Sequence, residues 1–132
     1  MSEMIVSFPG GKKVDVSFGA FTVKTDQSRL GGGDASAPEP FALFLASIAS
    51  CAGIYVLGFC QAREIDTSGL TITQKVMSGE HGGIGKIVLE INLPKGFPEK
   101  YKKAVIRSAD QCAVKKTMFN PPQFEILAHI EQ

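Results

Sequence analysis

The sequence predicts a single α+β domain over residues 1–132, with strands and helices in the order βββαββαβ. Three observations predict it. Short runs of period-two alternation bounded by Gly, Pro and Asn mark strands. A 23-residue stretch, Pro40 to Ala62, carries no charged side chain and is too long for a strand. Strands fall on both sides of two helical stretches rather than alternating strictly with them, which favours α+β over α/β.

Met4 to Phe8 is β-prone and stops at Pro9-Gly10-Gly11. Val14, Val16 and Phe18 then alternate with Lys13, Asp15 and Ser17. Gly19-Ala20 turns the chain into Phe21 to Lys24, where apolar and polar residues alternate again. These runs predict an antiparallel meander with one wet face. The following loop, QSRLGGGDASAPEP, has a compliant centre at Gly31 to Gly33 and a stiff exit at Pro38 and Pro40. Pro40 suits the first turn of a helix.

That helix runs to about Arg63, roughly 35 Å at 1.5 Å per residue. Phe41, Phe44, Leu45, Ile48, Ala52, Tyr55, Val56 and Phe59 form a broad apolar stripe. Small residues, among them Ala42, Ala46 and Gly53, lie toward another side and let a second helix approach. A bilayer span would accommodate the length. Ser47, Ser50, Gly53, Gly58 and Gln61, and the strands on either side, favour a buried core helix and no membrane. A helix apolar all round needs more cover than one chain of this size supplies, so a homodimer is expected.

Leu70 to Met77 and Ile84 to Leu93 predict a hairpin closed by SGEHGG. Pro98 and Glu99 start a second helix. Tyr101, Val105, Ser108 and Cys112 share a stripe of it, and it loosens or restarts near Cys112 before Asn120-Pro121-Pro122. Phe124, Ile126, Ala128 and Ile130 alternate in a final strand.

A formal charge of +1 removes the electrostatic footprint of a nucleic-acid binder. The opening MSEMIVSF lacks the pattern of a signal peptide. Three irregularly spaced cysteines do not make a secreted disulfide framework, so a reducing cytoplasm is the default location. No Cys/His spacing resembles a metal site, and no motif calls for an organic cofactor. His81 and His129 read as surface residues. A Gly-rich loop before a helix can hold an anion, but Glu39 occupies that place, and a hinge suits GGG better.

Chemistry centres on the thiols. Cys51 and Cys60 lie on opposite faces of one helix, at 100° per residue, and cannot pair. Cys51 and Cys112 occupy different helices, on faces that could meet. A disulfide needs Cα atoms about 4.4–6.8 Å apart, which closely packed helices can reach. Residue chemistry leaves two readings open here: buried structural thiols, or a redox pair. Cys60 reads as packing.

GGGDASAPEPFALFLASIASCAG resembles the OsmC/Ohr family, in which a Gly-rich loop and a Pro precede a long helix carrying a cysteine. AVIRSADQCAVKKTMFNPP resembles its second helix and second cysteine. The resemblance covers nearly the whole chain. It implies an intertwined homodimer and a thiol-dependent peroxidase needing no cofactor or metal. Cys51 then matches the peroxidatic cysteine, oxidised to a sulfenic acid by an organic hydroperoxide, and Cys112 the resolving one. An external dithiol would restore the pair. Phe41, Phe44, Ile48 and Tyr55 are candidates for walls around an alkyl tail. The sequence departs from the Ohr pattern in three places. Lys12 stands where an arginine follows two glycines, with Arg29 as a second candidate to stabilise the thiolate. Phe41 and Ala42 stand where a helix carboxylate belongs, and Ala113 replaces a frequent Pro. These departures motivate an alternative, a non-catalytic dimer that binds an apolar small molecule.

Overall fold

A computed structural model describes residues 3–131. The chain divides between Ser47 and Ile48 into two compact units.

The first unit holds three strands, β1 (Ile5–Gly10), β2 (Lys13–Phe18) and β3 (Phe21–Thr25), in an antiparallel meander ordered β1-β2-β3. Val6 faces Val16, and Val16 faces Val23, so the alternation read from sequence is the alternation of the sheet. The register slips between Ser7 and Gly10, around Pro9, which cannot donate to the ladder. Gly11 adopts φ +58° in the turn that follows, a conformation open to glycine at little cost.

The loop after β3 is tied down rather than compliant. Asp26 is fully buried and accepts hydrogen bonds from the N–H groups of Gln27, Asp34 and Ser36 and from the Ser36 hydroxyl. The three glycines take part in this knot: Gly31 N–H bonds Ser28 Oγ, Gly32 N–H bonds the Arg29 carbonyl, and Gly33 N–H bonds the Ser28 carbonyl. Gly33 has no room for a side chain, since a Cβ would stand 2.3 Å from the Gln27 carbonyl oxygen. The hinge expected at GGG is therefore a folded loop, closed on a carboxylate that residue pattern did not single out.

Helix α1 (Pro40–Ala62) starts at the proline expected to start it. By length and composition it could cross a bilayer, and among the described helices it alone meets that test. Its buried residues, Ile48, Ala52, Val56 and Cys60, recur every four positions and form a single stripe.

In the second unit, β4 (Thr71–Ser78) and β5 (Ile84–Asn92) make the expected antiparallel hairpin, with Ile72 opposite Ile91 and Gln74 opposite Leu89. A single 3₁₀ turn, Glu99–Tyr101, leads into α2 (Lys102–Ala109). The chain then breaks at Asp110-Gln111-Cys112 and resumes as α3 (Ala113–Phe119). Val56, Cys60 and Val105 form the core, with Phe59, Ile72, Ile91 and Leu93 packed around it. Cys60 is thus a packing residue, and burial pushes its thiol pKa up, partly offset by Arg63.

One expected element is missing. Phe124 to Ile130 was expected to form the last strand of βββαββαβ, but it pairs with no strand among the described residues. Both sheets are small, one of three strands and one of two, and neither takes it up as a further strand. Its apolar side chains stay in solvent.

Candidate active site

Cys51 and Cys112 come together within the second unit. Cys51 sits on α1, one position before Ala52 in the buried stripe, and is half-buried. Cys112 occupies the break between α2 and α3 and is only 2% exposed. Both are free thiols.

The break explains the geometry. Cys112 has φ −48° and ψ 121°, outside the helical region, and caps α3. Its Sγ accepts a hydrogen bond from Lys115 N–H at 3.4 Å, the bond a cap side chain makes to the third helical residue. The thiol also points toward the Ile48 carbonyl oxygen on α1, at 4.0 Å. Starting the helix afresh at Ala113 leaves the first N–H groups of α3 without partners inside the helix.

Those N–H groups serve Cys51. The Val114 N–H makes the largest contribution to lowering the Cys51 pKa. Burial opposes it, and hydrogen bonds from the Cys112 thiol and the Ala113 N–H add to it. Cys112 moves the other way. Burial raises its pKa first, and its bond to Cys51 raises it further, against the N–H groups of Lys115 and Val114. One thiol is therefore favoured as thiolate while its neighbour holds its proton. That split is the arrangement in which one sulfur attacks and the other donates.

The remaining candidates are spread over both units. Lys12 and Arg29 lie in the first unit, both exposed; the Lys12 side chain runs beside Gly32. Lys13, next to Lys12, is bound to Asp34 at 2.8 Å. Phe41 and Phe44, also in the first unit, stack at 5.5 Å between ring centroids and remain exposed. Tyr55 is exposed in the second unit. Ile48 is buried and lines a cavity that also reaches Cys112. Glu39, the carboxylate nearest the start of α1, accepts from Ser28 N–H and so belongs to the loop. The main-chain donors Ala113 and Val114 escaped sequence reasoning, because any residue but proline offers an N–H. The restart of the helix at Cys112 was the available signal. No group of His, Cys, Asp and Glu among the described residues could hold a metal ion.

Comparison with known proteins bears on the family and the fold. Residues 32–127 match the family described as OsmC-like protein. No curated protein sequence matches the chain. Among solved structures, an osmotic stress induced and detoxification response protein from Psychrobacter arcticus is similar with a TM-score of 0.73 at 21% identity, over 89% of this chain and 88% of that one. An organic hydroperoxide resistance protein from Elizabethkingia anophelis gives a TM-score of 0.62 at 23% identity, over 91% and 89%. An organic hydroperoxide resistance protein OsmC from Legionella pneumophila gives 0.57 at 22%, over 88% of each chain.

Proposed function

The chain belongs to the OsmC-like protein family, and from that premise we propose that it is a thiol-dependent reductase of organic hydroperoxides, working as a homodimer. The observation that carries this reading is that Cys51 on α1 and Cys112 at the start of α3 are neighbouring free thiols, whose surroundings move their pKa values in opposite directions.

In the proposed cycle the Cys51 thiolate attacks one peroxide oxygen. The O–O bond breaks, an alcohol leaves with a proton, and Cys51 becomes a sulfenic acid. The Cys112 sulfur then attacks Cys51 Sγ. Water departs and a Cys51–Cys112 disulfide remains, so the peroxide has gained two electrons from the two thiols. An external dithiol reduces the bridge by exchange. Solved structures that share the fold include two organic hydroperoxide resistance proteins, which supports an organic peroxide as substrate. Exposed apolar residues on α1 and in the C-terminal segment support a dimer.

The test is stoichiometric. Treatment with cumene hydroperoxide should remove two thiols per chain and form one bridge between Cys51 and Cys112, read by intact mass and peptide mapping. Cys51→Ser should abolish peroxide consumption, and Cys112→Ser should leave a Cys51 sulfenic acid that dimedone captures. Three thiols surviving excess peroxide would end this reading and favour the apolar-ligand alternative.

A further inference from the structure

Cys112, though almost wholly buried, lines a cavity of the second unit that Cys51 does not line. This cavity, of about 370 Å³, is bounded by β5, α2 and the start of α3. Its walls are apolar, formed by Leu89, Ile91, Val105 and Ile106, and both Ile48 and Cys112 contribute to its lining. Four charged residues border it. Lys115 is bonded to Asp110, which neutralises that pair. Lys102 and Arg107 are exposed, and no ion pair to either is seen among the described residues, so the border carries an excess of positive charge.

We propose that this cavity admits a small anionic thiol, which reopens the oxidised pair by attacking Cys112 rather than Cys51. This rests on the Cys51–Cys112 bridge of the proposed function. The incoming thiolate sulfur forms a bond to Cys112 Sγ, the Sγ–Sγ bond breaks, and its electron pair leaves on Cys51 as thiolate. A second thiolate then attacks the reductant's own sulfur in the mixed disulfide. Cys112 is released and takes a proton. Two reductant thiols become one disulfide, and both cysteines are reduced.

Two considerations select this direction. Cys112 lines the cavity and Cys51 does not. The better leaving group in exchange is the more acidic thiol, and the main-chain donors around Cys51 make it that thiol. Lys102 and Arg107 then raise the local concentration of an anionic nucleophile, an effect that salt screens. Oxidant and reductant would thus meet different sulfurs from different directions.

The experiment bypasses peroxide. The purified protein is bridged with diamide, then treated with limiting 2-mercaptoethanesulfonate, quenched in acid and mapped by mass spectrometry. The adduct is expected on Cys112, with Cys51 free; an adduct on Cys51 overturns the proposal. Rates with 2-mercaptoethanesulfonate, 2-mercaptoethanol and cysteamine, each corrected for its own thiolate fraction, should fall in that order. The span should be about tenfold at low salt and should vanish in the double variant Lys102→Gln/Arg107→Gln. An unchanged span in that variant removes the role of the two cations. Diamide failing to bridge Cys51 and Cys112 would overturn this inference and the peroxidase reading together. A protein that bridges with diamide but ignores peroxide would fail only as a peroxidase.

Discussion

Cys51 shows how much of a residue's chemistry is decided by atoms that carry no sequence identity. An apolar setting raises a thiol's pKa, and its placement in an uncharged helix gives no sign of activation. The N–H groups of Val114 and Ala113 outweigh that burial. Its alkylation by iodoacetamide should therefore reach half-maximum at a lower pH than that of Cys112 in the Cys51→Ser variant. Equal midpoints for the two would contradict the split. Asp26 is a second case. Ser36 Oγ and the N–H groups of Ser36, Gln27 and Asp34 hold its carboxyl well below the usual carboxylate range, against burial. A depressed folded pKa stabilises above the unfolded value, near 3.9, and that contribution is lost as pH falls toward the folded one. Asp26→Asn should thus unfold more easily than wild type at pH 7, with the gap narrowing steadily below pH 4. A gap independent of pH would assign the effect to shape alone. Gly33→Ala would drive a methyl into the Gln27 carbonyl and the Asp26 carboxylate, costing about 1–3 kcal/mol by the usual toll of overpacking, measurable by urea titration.

At the scale of elements, α3 matters because of where it begins. Its cap is the Cys112 side chain, so Cys112→Ser, which keeps a good acceptor, should exceed Cys112→Ala in stability by about 0.5–2 kcal/mol. Ala113 offers a sharper probe. It is the first residue of α3, where proline is well tolerated, and Cys112 already has the extended ψ of 121° that a following proline demands. Ala113→Pro should leave the melting temperature unchanged or higher. It should also raise the pH midpoint of Cys51 alkylation, because one N–H donor is gone. An unshifted midpoint would remove Ala113 from the site. The paired strands, the start of α1 and the end of α3 were legible because each follows from periodicity or from a breaker at a named residue: Val14-Val16-Phe18, Pro40, Asn120-Pro121. The Asp26 knot was not, since its ring of donors joins residues up to ten positions apart through main-chain atoms. The convergence of Cys51 and Cys112 was legible only as a permitted geometry, made specific by family resemblance. The final strand was legible as a pattern, but a strand also needs a neighbour.

The whole molecule leaves that pattern unused. From Pro121 onward the described chain has no helix and no strand pairing, and Ile126 and Ile130 are 94% and 93% exposed. Their alternation with Glu125 and His129 is the signature of a segment with one buried face. Phe41, Ile54 and Tyr55 on α1 are exposed as well. So many uncovered apolar side chains are costly for a lone chain in water. In the proposed homodimer a second copy would cover them, and the C-terminal segment would find a strand edge to pair with. The protein should then sediment at twice its 14.1 kDa chain mass, and its melting temperature should rise with protein concentration, because dissociation accompanies unfolding. Ile126→Lys/Ile130→Lys places two charges on the face to be buried. It should shift sedimentation toward the single chain and reduce the concentration dependence, while a control change at the exposed Glu125 should do neither. A wild-type chain that sediments at 14.1 kDa at every concentration, with a fixed melting temperature, would show that the exposed faces have some use other than joining two copies.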